Sequence, residues 1–473
     1  MTQTVDQRDQ ALRGAFKAVN QEHVFAFWRE LKPSQRRQLL DDLSCINVKA
    51  LPELVRLAMT GQTTALPNAA LLPVQVIPRE SVGTEVVARG RSLLEAGKVA
   101  AFTVAGGQGT RLGFDGPKGA FPISPVRNKP LFQIFAEGIL ATDRRYGCRT
   151  QWYIMTSPAN DAETRQFFRE HSHFGMEAGQ VTFFQQGVMP AFDQDGRILL
   201  DEKHRLTLAP DGHGGSLLAL ARTGMLADMA ERGVEYISYF QVDNPLVMCL
   251  DPVFIGLHAA HKTEMSSKAL PKADDLERVG NFAMAGGRQM VIEYSDLPDE
   301  LAHARNPDGS RKFDAGNIAI HLLSRSFVER LTADPASFAL PWHKARKKVP
   351  YVDLTSGRRI EPAEPNAIKL ESFVFDALPL AKHPVVMGTS RAEEFSPVKN
   401  ATGVDSVDTA RRDTSRRAAR WLEVAGFKVP RNAAGEPDAV FEISPLLALD
   451  AEQLGERNLP RRTFERGTKN YLE

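Results

Sequence analysis

The chain has 473 residues, of which 42% are hydrophobic and 25% charged, the proportions of a soluble globular protein of about two to four domains. Its 59 basic and 58 acidic residues give a formal net charge of +1, which excludes the basic excess of a general nucleic-acid binder. Three scattered cysteines fit neither a disulfide framework nor a zinc site, Met1–Gln10 lacks the apolar core of a signal peptide, and no apolar run nears the ~18 residues of a membrane span, so a cytoplasmic protein without membrane partners is expected.

The start reads as helical. Val24, Phe25, Phe27, Trp28 and Leu31 make one apolar face at helical spacing, and Pro33-Ser34 then marks a stop and a new start before Leu39, Leu40 and Leu43. Thr60 to Pro78, with Asn68 and three prolines, reads as a surface linker. From Gly97 onward apolar strands alternate with amphipathic helices. The candidate strands are Val99–Val104, Trp152–Met155, Val181–Phe184, Tyr236–Val242, Met290–Tyr294 and Ile318–Leu323, and Leu131 to Leu140 has helical periodicity. That alternation predicts an α/β fold with a mostly parallel sheet flanked by helices. Ligands of such sheets lie beyond the strand carboxyl ends, so Gly106, Gln186, Asp243 and Glu293 are expected to share one cleft.

Three further features carry no chemistry in this reading. Asp193-Gln194-Asp195-Gly196 suggests a calcium loop, but His204 stands where the twelfth-position Glu belongs, so a turn is expected. His258 and His261 lack a third metal ligand nearby and read as ordinary helix residues. The basic clusters Arg411-Arg412, Arg416-Arg417 and Lys344 to Lys348 read as solvated faces. A helix over Thr409 to Val424 and a short closing segment complete the chain. The expected domains are 1–95 (helical), 96–390 (catalytic) and 391–473 (C-terminal).

The most informative stretch is Val104 to Gly119, Val-Ala-Gly-Gly-Gln-Gly-Thr-Arg-Leu-Gly-Phe-Asp-Gly-Pro-Lys-Gly, which follows an apolar run suited to a buried strand. Gly106, Gly107 and Gly109 let the backbone approach a ligand and turn several N–H groups toward one anion, and Arg111 and Lys118 add two cations. That set suits a polyphosphate. It is not a Walker A loop, because Lys118 follows Pro117 and precedes Gly119. Nor is it a dinucleotide fingerprint, because Leu112 takes the third glycine's place, which also disfavours a dehydrogenase.

Ala-Gly-Gly-Gln-Gly-Thr-Arg-Leu-Gly followed by Pro-Lys-Gly resembles the signature of the UDP-sugar pyrophosphorylases, above all the eukaryotic-type UDP-N-acetylglucosamine branch. The likeness continues in order through Trp152–Ser157, Phe183–Gly187, Ala209–Gly215, Val242-Asp243-Asn244, Glu293-Tyr294-Ser295, Phe313–Ile318, Glu394–Asn400 and Phe441–Leu446. The resemblance implies a Rossmann-like, GT-A-like nucleotidyltransferase with a small N-terminal helical region and a small C-terminal domain. It implies that UTP and a sugar 1-phosphate, N-acetylglucosamine 1-phosphate first, give UDP-sugar and pyrophosphate with Mg²⁺ as cofactor, in a monomer or weak homodimer.

By the same resemblance Ala105, Gly106 and Gly107 hold the nucleotide, Arg111 faces the β- and γ-phosphates, and Lys118 faces the α-phosphate. Gln186 and Gly212, with His213 beside them, read the uracil side, and Asp243 holds Mg²⁺ and the ribose side. Glu293, Asn317 and Gly280 contact the sugar, and Lys399 reaches the phosphates. The attacking phosphate is already a nucleophile, so catalysis needs positioning and charge stabilisation rather than a general base. Where the animal acetylglucosamine enzymes carry Asn, this chain has His213, as in UDP-glucose and broad UDP-sugar pyrophosphorylases. Glucose 1-phosphate therefore stays open as acceptor, and a catalytically inactive nucleotide-sugar sensor is the reading from another class.

Overall fold

In the computed structural model, which describes residues 5–60, 70–177, 179–334, 338, 340–460 and 462–473, the apolar runs gather into an 11-stranded sheet. In chain order its strands are β1 (Leu72–Pro73), β2 (Val76–Ile77), β3 (Val99–Val104), β4 (Trp152–Thr156), β5 (Val181–Gln185), β6 (Tyr236–Gln241), β7 (Met265–Pro271), β8 (Asn281–Ala285), β9 (Arg288–Ile292), β10 (Ala315–Ser324) and β11 (Val385–Gly388). The main path runs β2-β11-β7-β10-β6-β3-β4-β5. On it β10 is antiparallel to both neighbours, and the remaining adjacent pairs are parallel. β8 adds antiparallel pairings to β1, β9 and β10. This is the mostly parallel α/β sheet that the strand–helix alternation predicts.

The central strands are buried on both faces, as their unbroken apolar runs require. Ala100, Ala101, Phe102 and Thr103 of β3 and all of β4 are inaccessible. Helix Leu131–Tyr146 lays Phe132, Phe135, Ala136 and Ile139 into the cluster that includes Trp152, Ile154 and Phe168. Trp152 Nε1 donates to Thr103 Oγ1 (2.8 Å), so the one polar atom of that ring is satisfied inside the core.

Contacts divide the chain into two units. The larger consists of the described residues within Pro67–Gln185, Leu217–Phe338 and Ala377–Glu473 and contains the whole sheet. Its C-terminal part has an apolar cluster of Ala418, Leu422, Phe441, Leu454 and Phe464, with Val440–Ile443 and Lys469–Leu472 paired in parallel. The smaller consists of the described residues within Met1–Leu66, Gln186–Ser216 and Ala339–Asp376. There the helices Pro33–Ser44 and Leu51–Thr60 share a core with Phe192, Ile198, Ile368 and Leu370.

Several expectations are corrected. Val24 to Leu31 is not one α-helix but two 3-10 turns, Glu22–Phe25 and Trp28–Glu30. These tight turns bury Val24, Phe25, Phe27 and Leu31 together, so the apolar spacing is met without a continuous α-helix. The new helix does start at Pro33, its first residue. Of the expected linker, residues 61–69 lie outside the described residues. Beyond them Leu72–Pro73 and Val76–Ile77 are sheet strands rather than free loop, paired with β8 and β11. The strand expected at Met290–Tyr294 runs Arg288–Ile292, because Gly286 and Gly287, both at positive φ, close a tight hairpin before it. Arg411 and Arg417 are half-buried and donate to main-chain carbonyls instead of forming a solvated face.

The turn expected at residues 193–196 is present. Asp193 Oδ1 accepts from the N–H groups of Asp195 and Arg197 (2.8 Å each), which is a turn. Both ring nitrogens of His258 face serine hydroxyls, and among the described residues no three His, Cys, Asp or Glu side chains form a metal cluster. No helix among them is long and apolar enough to cross a membrane.

Candidate active site

The glycine loop leaves β3 with its carbonyls pinned. Asn160 Nδ2 donates to the carbonyls of Ala105 (2.9 Å) and Gly107 (3.2 Å), Ser157 Oγ donates to that of Gly106 (2.9 Å), and the N–H of Lys118 donates to that of Gly107 (3.0 Å). In a planar peptide the C=O and the following N–H point in opposite directions. The N–H groups of Gly106, Gly107 and Gln108 therefore face away from these donors, and among the described residues they have no protein acceptor. Ser157 and Asn160 were not singled out in the sequence. The signal available was Ser157-x-x-Asn160 directly ahead of helix Asp161–Glu170.

Lys118 and Asp243 meet. Lys118 follows Pro117 in a 3-10 turn, Asp243 lies two residues beyond β6, and Lys118 Nζ is 3.7 Å from Asp243 Oδ2. Each side chain keeps 16% of its exposure, which is enough for a ligand to reach both. Arg111, in the turn Thr110–Leu112, is exposed and has no ion-pair partner among the described residues. The N–H of Val398 donates to the carbonyl of Asp243 (2.8 Å), which brings the backbone beside Lys399 to this corner. Lys399 Nζ itself is 3.2 Å from Asp405 Oδ2.

The expected sugar residues gather in a second corner on the same edge of the sheet. β6 and β3 are parallel, so their carboxyl ends lie on one edge. β10 runs the other way and puts its beginning, with Asn317, on that edge too. The N–H of Asn317 donates to the carbonyl of Gly280 (2.8 Å). Asn317 Oδ1 accepts from the N–H of Ala319 (3.0 Å), which leaves its NH₂ group as the donor for a ligand. Glu293 follows β9, and a Cβ placed on Gly280 would lie 3.6 Å from Glu293 Oε1 and 2.6 Å from Val291 Cγ1. Glycine at 280 is what allows that approach.

Gln186, Gly212 and His213 belong to the smaller unit. Gln186 is buried immediately after β5. Gly212, at φ +85°, runs so close to Ser372 that a Cβ would strike its main chain, and the N–H of Gly214 donates to the carbonyl of Ser372 (2.8 Å). His213 Nδ1 accepts from the N–H of Val374 (3.1 Å), and its ring is stacked on Phe373 with centroids 5.1 Å apart. A ring that accepts at Nδ1 carries its proton on Nε2, so His213 is built as a neutral donor through one atom. Phe373 also stacks with His343 (4.4 Å), whose Nε2 is 2.8 Å from Asp376 Oδ2. Phe373, Phe375, His343 and Asp376 were also missed, since nothing local ties residue 213 to residues 343–376.

A family model described as UTP–glucose-1-phosphate uridylyltransferase matches residues 62–411. UDP-N-acetylhexosamine pyrophosphorylase-like protein 1 of Homo sapiens is 38% identical, over 94% of either chain. UDP-N-acetylglucosamine pyrophosphorylase of Saccharomyces cerevisiae is 35% identical, over 93% of this chain and 95% of its own. Among solved structures, the uridine diphosphate N-acetylglucosamine pyrophosphorylase of Trypanosoma brucei, in complex with inhibitor, superposes with a TM-score of 0.83 at 27% identity, covering 100% of this chain and 99% of that one. A UDP-glucose pyrophosphorylase of Leishmania major shares the fold at 15% identity with a TM-score of 0.63, covering 90% and 87%.

Proposed function

The chain belongs to the UTP–glucose-1-phosphate uridylyltransferase family of UDP-sugar pyrophosphorylases, and from that premise we propose that it joins UTP to N-acetylglucosamine 1-phosphate, giving UDP-N-acetylglucosamine and pyrophosphate. The observation that carries this reading is the Lys118–Asp243 pair, 3.7 Å apart on the sheet edge that also bears the glycine loop and its outward N–H groups.

In this reading an oxygen of the sugar phosphate attacks the α-phosphorus of UTP and the bond to the bridging oxygen breaks, so pyrophosphate leaves. Charge builds on the α-phosphate oxygens and on the departing group. Lys118 stabilises the first and Arg111 the second, while the N–H groups of Gly106 and Gly107 fix the triphosphate's register. By the family resemblance, Gln186, Gly212 and His213 serve the nucleotide and the sugar's near side. Glu293, Asn317 and the backbone at Gly280 receive the sugar, and Lys399 has Asp405 as its resting partner.

Asp243 offers a partly accessible carboxylate, and among the described residues no three His, Cys, Asp or Glu side chains gather into a metal cluster, so the site suits Mg²⁺ bound chiefly through phosphate oxygens. When bound, Mg²⁺ would neutralise triphosphate charge there. The free thiols of Cys45, Cys148 and Cys249 support a reducing, cytoplasmic setting.

His213 favours a second reading, glucose 1-phosphate as acceptor. The deciding experiment measures pyrophosphate release from UTP and Mg²⁺ over a panel of sugar 1-phosphates. N-acetylglucosamine 1-phosphate is expected to give the highest kcat/KM. Preference for glucose 1-phosphate establishes the second reading, and turnover with none of them overturns the enzyme reading in favour of a non-catalytic nucleotide-sugar binder.

A further inference from the structure

Two arginines of helix Val407–Val424 reach the loops that carry Lys118 and Asp243. Arg411 Nη2 donates to the carbonyl of Pro122 (2.9 Å) and its Nε to that of Ile123 (3.3 Å), just after the turn Lys118–Ala120. Arg417 Nη1 donates to the carbonyl of Leu246 (2.8 Å), three residues past Asp243, and to that of Glu393 (2.9 Å).

The segment leading into the helix makes the second loop's attachment continuous. Asn244 Nδ2 donates to the carbonyl of Glu394 (2.6 Å), the N–H of Ser396 donates to Asn244 Oδ1 (3.2 Å), and the N–H of Val398 donates to the carbonyl of Asp243 (2.8 Å). Ser396 Oγ in turn donates to Asp413 Oδ2 on the helix (2.9 Å). Ser406 caps the helix start, with the N–H of Thr409 donating to its Oγ.

Besides their other attachments, then, both loops are tied to one helix. A guanidinium suits this task, because several donors in one plane hold two carbonyls at fixed angles where a single ammonium would pivot. We propose that helix Val407–Val424 sets the spacing of Lys118 and Asp243, with Arg411 and Arg417 as positioning residues for phosphoryl transfer. The proposal rests on the roles given above to Lys118 and Asp243.

The test uses the full chain and follows kcat and KM for UTP and the sugar phosphate. Arg411 is half-buried, so Arg411→Met is expected to fold, to lower kcat about ten- to hundredfold as small misplacements of reacting groups do, and to leave both KM values within about threefold. Arg411→Lys keeps the charge but loses the fork, and is expected to recover only part of the rate. In a Lys118→Ala background the same Arg411→Met change is expected to cost less than about twofold, since a residue acting through Lys118 has little left to act on. Unchanged kcat in Arg411→Met, or an equal loss in both backgrounds, overturns the proposal. So does a variant that only melts earlier. Near-normal turnover of Lys118→Ala alone would instead sink the role given to Lys118. Arg411 is then judged by the same cycle against Asp243→Asn, where non-additivity supports the helix's role and additivity overturns it. Should Arg417→Met fail to fold, Arg417→Lys is read in the same way.

Discussion

Asn160 Nδ2 sits 2.9 Å from the carbonyl of Ala105, so the connection after β4 holds the carbonyl side of the glycine loop after β3. The same amide reaches Gly107, and Asn160 Oδ1 accepts from the N–H of Ser157 (2.9 Å). Asn160→Ala leaves the buried carbonyl of Ala105 without its donor, while that of Gly107 keeps the N–H of Lys118, and is expected to cost about 1–3 kcal/mol of stability. A loosened loop no longer presents its N–H groups in register, so affinity for UTP falls as well. Thermal melts and calorimetric UTP titration of the variant measure the two effects. Intact UTP affinity in a destabilised variant would separate Asn160 from the nucleotide.

Lys118→Ala removes a cation from the place where charge builds, and turnover is expected to fall about 10²–10³-fold, the loss typical of one well-aimed donor. The side chain is not a core group and its partner Asp243 is accessible, so the melting temperature is expected to hold. Initial rates of pyrophosphate release, compared with unfolding curves, check both halves of the statement.

Part of the sheet was legible because its signals are local, though β7 and β11 were not read. β3 is an uninterrupted apolar run, and the structure begins and ends it at Val99 and Val104 as the run does. The hairpin β8–β9 was half legible: its second strand was read two residues late because Gly286-Gly287 was not taken as a turn. The first aromatic segment misled because helical spacing is equally compatible with consecutive 3-10 turns. Side-chain roles that depend on distant segments left no trace. Arg411 looks like any surface arginine until Pro122 lies beside it, and His343 gains meaning only from Phe373 and Asp376. Lys118 and Asp243, by contrast, were found by motif, and the fold brings them within 3.7 Å.

The larger unit also encloses a charge cluster outside the glycine loop. Lys268 is fully buried at the bulge in β7, with Nζ 2.7 Å from Asp251 Oδ2 and 2.6 Å from Glu394 Oε1, and Arg79 joins Asp251 from the other side. Burial alone would raise the Asp251 carboxyl, but the Lys268 ammonium and Arg79 guanidinium override it and hold it below the usual carboxylate range. Lys268→Met leaves two buried carboxylates short of a cation and is expected to destabilise the protein by about 3–5 kcal/mol. Chemical denaturation at pH 7 measures this. A loss under about 1 kcal/mol would mean that water or Arg79 compensates.

His258 predicts how the fold responds to acid. Its ring is fully buried, with Nδ1 2.8 Å from Ser266 Oγ and Nε2 3.0 Å from Ser324 Oγ. A neutral imidazole can donate from one nitrogen and accept at the other, which two hydroxyls satisfy, and neither hydroxyl compensates an imidazolium. Burial accordingly pushes the ring's pKa down to about 3 from 6.5. The folded value is depressed, so between these two pH values the unfolded chain binds the extra proton. The stability contributed is complete above about pH 6.5 and is lost progressively as pH falls toward 3, amounting to about 2 kcal/mol at pH 5. His258→Gln keeps a donor and an acceptor but cannot take up the proton. Denaturation midpoints at pH 7 and pH 5 are therefore expected to fall less in His258→Gln than in the wild type. Equal falls in the two proteins would show that His258 is not what acid attacks first.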